Sequence, residues 1–241
     1  MSAYVYAPVR HPRTPDVRAE PFDALRMSTT LDALSVKFAI HARAVASETL
    51  DIGCGDGLAT AAVIERGGRV VAVDPEASLV ARVRERIPAE RHPRLTTEIG
   101  SLPGIDFGDG RFAAIHVAHV FQLLSGWEIM RSLEKMRRWL RPCGKLFVSA
   151  LEPAGPRWQS VVDQVESREA SGVRWPGFIA DVRQFLPAGT QVAPAFIHLL
   201  DAQVLRRELT SAGFRVEDVS RYVLPWDAEQ SCCAVVASRL D

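Results

Sequence analysis

A basic surplus, paired cysteines and long apolar runs are all missing from this sequence, and each absence closes off a class of function. Lys+Arg 29 is matched by Asp+Glu 29, so no overall positive field invites a polyanion and no nucleic-acid partner is expected. The four cysteines, Cys54, Cys143, Cys232 and Cys233, show no C-x-x-C or Cys/His ligand spacing. That argues against a zinc site and a disulfide framework, and no metal is expected. Unpaired, mostly apolar-flanked thiols suit a reducing cytoplasm. The opening residues MSAYVYAPVRHPRTP lack the apolar run of a signal peptide, and no window is long and apolar enough to cross a bilayer. A soluble cytoplasmic protein with no membrane partner is therefore expected. Internal repeats, low-complexity tracts, catalytic triads and paired catalytic carboxylates are missing too.

What is present suits one large α/β domain with a real core: 241 residues, 47% of them hydrophobic and 24% charged. The chain is organised around Thr49-Leu50-Asp51-Ile52-Gly53-Cys54-Gly55-Asp56-Gly57. This reads as the end of a buried strand running into a glycine bend, with a helical pattern from Leu58 to Arg66 that stops at Gly67-Gly68. Glycine at every second position lets the backbone turn sharply and come close to a ligand. A carboxylate at Asp51 would repel pyrophosphate and suits a ligand bearing an ammonium or sulfonium group. An apolar strand, Arg69 to Val73, is then closed by Asp74 and Pro75, ahead of a helix whose expected buried face is Leu79, Val83 and Ile87. Asp74 follows Asp51 by 23 residues, close to the ~20 between a glycine loop and a ribose-binding acid. Its carboxylate can accept from both ribose hydroxyls.

The flanking segments complete an alternating pattern. Residues 1–30 begin with Tyr4, Tyr6 and four prolines up to Pro21, an extended arm that is either a free terminus or a lid. Leu31, Leu34, Phe38, Ala42 and Val45 recur at helical spacing. Strands are expected near 94–99 and 111–118, and the second of these ends at Ala118-His119, where ligands of open α/β sheets sit. Ser125 and Glu128 form an S-x-x-E capping box for a helix whose core face is Ile129, Leu133, Met136 and Leu140. A strand from Leu146 to Leu151 follows. Residues 152–200 break the pattern: Trp158, Val161, Val162 and Val165 suggest one helix, and Phe178, Val182 and Phe185 a second short one. Asp201 can cap a helix through Ala212, Phe214 opens a strand, and Ser231 to Ser238 reads as the last one. Tyr222 to Gln230 is expected to connect the two.

The spacing Asp-x-Gly-x-Gly-x-Gly resembles the first motif of the class I S-adenosylmethionine-dependent methyltransferases, and Leu209 to Phe214 (Leu-x-x-Ala-Gly-Phe) is similar to a phrase near that family's late strands. The resemblance covers residues 31–151 and 201–239. It implies an α/β, Rossmann-like doubly wound fold with a seven-stranded mostly parallel sheet and an antiparallel last strand. The domain would comprise residues 31–151 and 201–241, with 152–200 a helical cap insertion over the substrate pocket. S-adenosyl-L-methionine is the implied cofactor. Gly53, Gly55 and Gly57, with Cys54, would approach its methionine part, and Asp51 its amino group, directly or through water. Asp74, with Pro75, would take the ribose. Ser101 stands where the family often has an adenine-binding acid, so adenine would rest on its hydroxyl and the backbone of Leu102. Ala118 and His119 would flank the sulfonium. Phe112-Ala113 departs from the family's Phe-Asp, and Cys143 from its Pro-Gly-Gly.

The implied reaction is methyl transfer to an oxygen or nitrogen of a small, apolar or aromatic molecule, with Tyr4, Tyr6, Trp158, Trp175 and Phe178 as candidate substrate contacts. In-line transfer from an activated sulfonium needs alignment more than a base. His119 is the candidate base, or else it shapes the pocket. The rival readings are a ligand-binding protein of this fold without turnover and a protein methyltransferase. A nicotinamide enzyme is disfavoured, because its G-x-G-x-x-G fingerprint wants the third glycine one place later than Gly57. Nothing in the sequence fixes the oligomeric state.

Overall fold

Short runs rich in valine, isoleucine and alanine build the sheet, and they sort themselves by alternation, since successive strand residues point to opposite faces. The computed structural model describes residues 30–185, 195–225 and 227–240. Its strands are β1 (Glu48–Ile52), β2 (Arg69–Asp74), β3 (Leu95–Ile99), β4 (Phe112–Ala118), β5 (Leu140–Leu151), β8 (Phe214–Leu224) and β9 (Asp227–Arg239), in the order β3-β2-β1-β4-β5-β9-β8. β1 pairs in parallel with β2 and β4, β2 with β3, and β4 with β5, whereas β9 runs antiparallel to β5 and β8. The expected doubly wound sheet with an antiparallel last strand is the observed one. Winding reverses between β1 and β4, so the crevice beyond their carboxyl ends is the place for a ligand.

Two layers of helix cover the sheet. On one face Leu34, Phe38 and Ala42 of α1 (Ala33–Val45) meet Val63 of α2 (Leu58–Glu65), Val83 of α3 (Ala77–Arg86), and Val70, Ala114 and Phe147 of the strands. On the other, Ile129, Leu133 and Met136 of α4 (Gly126–Trp139) and Leu205 and Leu209 of α6 (Ala202–Ser211) bury Leu50, Ile52, Val148 and Val235. Side chains cap these helices at the two places expected, Asp201 and Ser125/Glu128, and also at Asp32. Asp32 accepts from the Ser35 amide at 2.8 Å, Asp201 from that of Val204 at 2.8 Å, and the Ser125/Glu128 capping box is formed. On α3 the buried residues are Val80, Val83 and, at the cap, Ile87, not Leu79. Val83 and Ile87 keep the expected face, and Val80, one turn before Val83, takes the place expected of Leu79. Among the described residues no helix is long and apolar enough to cross a membrane, and no cluster of His, Cys, Asp or Glu could hold a metal ion.

Among the described residues of 152–200 there are one α-helix, α5 (Gln159–Ala170), and a small strand pair, β6 (Phe178–Ile179) with β7 (Ile197–His198). The second helix expected around Phe178 is instead β6 followed by a single 3-10 turn, Val182–Phe185. Three apolar residues were too few to distinguish those periods. Residues 186–194 of this segment lie outside the described residues. Trp158, Val161, Ile179, Val182 and Leu199 share a core with Leu151, Leu224 and Cys232, so this segment is rooted in β5, β8 and β9. Arg174 clamps it further with two hydrogen bonds to the buried Glu208 carboxylate, at 3.1 and 2.7 Å. The expected Tyr222–Gln230 connection is corrected as well: β8 runs to Leu224 and β9 begins at Asp227.

Near the start of β5 the exposed residue Cys143 is left-handed, with φ 59°. Glycine adopts that conformation without the Cβ clash that costs other residues about 1–2 kcal/mol. After the extra chain entropy glycine loses on folding, Cys143→Gly should stabilise the protein by about 0.5–1 kcal/mol. Urea denaturation checks this, and a destabilised variant would show that the thiol carries a contact.

Candidate active site

β1 ends in a loop that only its glycines allow. Gly53 has φ 70°, and a Cβ there would stand 2.3 Å from Cγ2 of Val120, so strand end and β4 turn meet backbone to side chain. Gly55 is also left-handed at φ 54°, but a Cβ would meet nothing within 4 Å: the space above it is open. The loop amides are turned inward. Gly53 and Cys54 donate to the Val73 carbonyl (2.8 and 3.0 Å), Gly57 donates to Cys54 (2.9 Å), and Gly55 donates to Oδ2 of Asp74 (3.0 Å). This is no nest of outward N–H groups for a phosphate.

Asp74, at the tip of β2, is 6% exposed. One oxygen takes the Gly55 amide and the other that of Glu76 at 3.0 Å. Each carboxylate oxygen has a second lone pair, so acceptor capacity remains beside the open space over Gly55. Burial raises its pKa, against the lowering pull of those two amides. An open cradle without an anion nest, edged by a carboxylate, fits a neutral ribose joined to a sulfonium better than a dinucleotide.

Asp51 is placed differently from the expectation. Its carboxylate is turned into the core, accepting from Thr60 Oγ1 at 2.6 Å and pairing with His116 Nδ1 at 2.8 Å, and only 1% of the residue is exposed. The register of β1 on β4 sets Asp51 directly beside His116. That ring stacks on Phe38 at 4.8 Å, and its Nε2 lies 3.2 Å from the Ser35 hydroxyl. Asp51 thus ties loop, sheet and α1 together from behind.

A second polar cluster stands at the tip of β4. His119 is held at φ 57°, a strained conformation for a side-chain-bearing residue. Its Nε2 is 3.1 Å from the Tyr222 hydroxyl and 3.7 Å from Oδ2 of Asp32. Burial raises the Asp32 pKa, but hydrogen bonding with His119, the nearby His116 and the Ser35 amide together hold it at about 2. Burial pushes the Tyr222 phenol up, so it keeps its proton. α1, β4 and β8 each contribute one member of the cluster.

Residues 49–144 match the model of a methyltransferase domain. Over 183 residues the chain is 27% identical to a ubiquinone biosynthesis O-methyltransferase of Xanthomonas axonopodis pv. citri, spanning 75% of this chain and 68% of that protein. Among solved structures, a methyltransferase from Methanosarcina mazei superposes with a TM-score of 0.64 at 17% identity, covering 83% of this chain and 96% of that one. The chain thus carries a methyltransferase domain over residues 49–144, and its fold is that of S-adenosylmethionine-dependent methyltransferases. A third likeness is the 1,6-didemethyltoxoflavin-N1-methyltransferase of Burkholderia thailandensis, whose structure holds 1,6-didemethyltoxoflavin and S-adenosylhomocysteine. Its TM-score is 0.61 at 21% identity, over 87% of this chain and 79% of that one.

Within this fold the remaining sequence candidates scatter. Cys54 is buried, and burial raises its thiol pKa. Pro75 and Ser101 are exposed, and Leu102 puts its side chain in the core, leaving its backbone as the part that could face a ligand. Ala118 closes β4 opposite Ser149. Trp158, read as a substrate contact, is corrected to a packing residue: it is wholly buried in the cap core and donates to Gln230 at 2.7 Å. Trp175 and Phe178 put their rings around His198, with centroids 5.0 and 5.5 Å away. Tyr4 and Tyr6 lie outside the described residues. Tyr222 and Asp32, which meet His119, and His198 and Gln122 were not singled out in the sequence. The only sequence signal for them was polarity amid apolar neighbours, which does not say what they meet.

Proposed function

We propose that the enzyme transfers the methyl group of S-adenosylmethionine to an oxygen or nitrogen of a small, flat, largely apolar molecule. The observation that carries this is the Asp32–His119–Tyr222 cluster at the carboxyl end of β4, next to the glycine cradle and beside a cap that presents aromatic rings. The O-methyltransferase and N1-methyltransferase similarities support the same class of acceptor.

In this reading the backbone at Gly53, Gly55 and Gly57 accommodates the methionine part and Asp74 accepts from the ribose. Bound S-adenosylmethionine supplies a methyl already activated by its sulfonium. The chain aligns the acceptor with that methyl and keeps water out, which is where most of the acceleration of such a displacement arises. His119 takes the proton released when the acceptor is a hydroxyl or an amine. Asp32 stabilises the imidazolium that results, and Tyr222 fixes the ring.

Calorimetric titration with S-adenosylmethionine and S-adenosylhomocysteine, followed by product detection over phenols, amines and carboxylic acids, tests the proposal. Tight cofactor binding with methylated product from at least one of those small molecules is expected. Cofactor binding with product only on a protein substrate would overturn it. In the same assay His119→Gln should lower kcat by about 10²–10⁴-fold with little change in cofactor affinity, the usual scale for a lost general base. An unchanged kcat would leave His119 a shaping residue.

A further inference from the structure

Between the end of β4 and the cap, two polar side chains are sealed from water with hydrogen-bonding capacity unused. Gln122 lies in the single turn Phe121–Leu123 and is fully buried. Among the described residues neither its Oε1 nor its Nε2 meets a partner. His198, on β7, is equally buried, and its Nδ1 is 3.1 Å from the Leu124 carbonyl. A carbonyl only accepts, so the proton sits on Nδ1, and in the neutral ring Nε2 keeps a bare lone pair. Burial holds that ring neutral, lowering its pKa to about 4. Its Nε2 has no partner among the described residues either.

Buried amides and imidazoles are almost always satisfied, because leaving them unpaired destabilises the fold. Two exceptions against the same turn, three residues past His119, stand where a sheet of this topology receives its ligand. The cap side of this place is its weakest part, since the β6–β7 ladder has two residues per strand.

We propose that Gln122 and His198 form the recognition edge for the methyl acceptor, selecting an uncharged planar molecule with a hydrogen-bond donor adjacent to an acceptor, as in a lactam. This rests on the acceptor site described above. A carboxamide offers one donor and one acceptor side by side, the complement of N–H next to C=O. The His198 lone pair accepts one further donor. A charged group finds no counter-charge on either side chain and is disfavoured on burial. A hydrocarbon leaves the amide as unsatisfied as before. The Trp175 and Phe178 rings beside His198 suit a flat partner.

The test uses the full chain, with and without S-adenosylhomocysteine, titrated with quinolin-2(1H)-one, its N-methyl derivative and naphthalene. The lactam is expected to bind at least tenfold more tightly than the other two, and Gln122→Leu should abolish that preference while leaving S-adenosylhomocysteine affinity unchanged. The same variant should raise the melting temperature, because it removes an unsatisfied buried amide. Equal binding of all three probes, a preference that survives in Gln122→Leu, or a lowered melting temperature would each overturn the proposal. Failure to bind S-adenosylhomocysteine at all is a separate outcome: it strikes the cofactor cradle, and the probe preference still decides the role of Gln122.

Discussion

Asp74→Ala is expected to weaken S-adenosylhomocysteine binding by about 1–3 kcal/mol, roughly 5- to 150-fold in the dissociation constant. Two losses combine. The carboxylate that would accept from the ribose is gone, and so is the anchor that holds the Gly55 amide at 3.0 Å and that of Glu76 at 3.0 Å. The second loss loosens the cradle without opening the core, because both freed amides can turn to water. Stability should therefore fall by only about 1 kcal/mol. Asp74→Asn is the sharper variant, since its amide oxygen keeps one acceptor and its NH₂ faces a donor. It should retain the fold and still lose about tenfold in affinity. Calorimetry on both variants checks this, and an unchanged dissociation constant in the alanine variant refutes the ribose assignment.

Acid should destabilise the enzyme in a window set by His198. Burial lowers the pKa of its imidazole to about 4 from an ordinary 6.5, against weaker opposing pulls from the Leu124 carbonyl and Glu208. As pH falls below 6.5 the unfolded chain therefore takes up a proton that the folded chain refuses. The contribution is whole above pH 6.5, declines through the window and is lost once pH passes about 4, roughly 3 kcal/mol in all. Asp32 acts lower down: with a folded pKa of about 2 its contribution stays intact above pH 4 and disappears between there and pH 2. Urea denaturation at pH 7.5, 5.5 and 4.0 should show the first loss, and His198→Phe should flatten it. A slope that survives in that variant assigns the acid sensitivity to other groups.

Local signals were legible in the chain. The glycine loop, the acid closing β2, the capping box at Ser125 and Glu128 and the cap at Asp201 all involve residues a few positions apart, whose geometry follows from backbone sterics and orphan amides. The polar sites were legible only as residues, not as partnerships. Asp51 reads as facing a ligand until β4 is laid beside β1, which brings His116 from 65 positions away and turns the carboxylate inward. His119 reads as a lone histidine until β8 carries Tyr222 to it across 103 positions.

The chain by itself determined the alternation of strands and helices and the glycine loop, because strand alternation, helix spacing and turn glycines are written in consecutive residues, while the cofactor and the sheet followed from the resemblance of that loop to a family motif. Only the tertiary structure decided which polar side chains hold the scaffold together and which are left with bonds to offer. That choice depends on strand order and on how the cap is rooted, and both are set by burial summed over the whole sheet rather than by any one stretch of sequence.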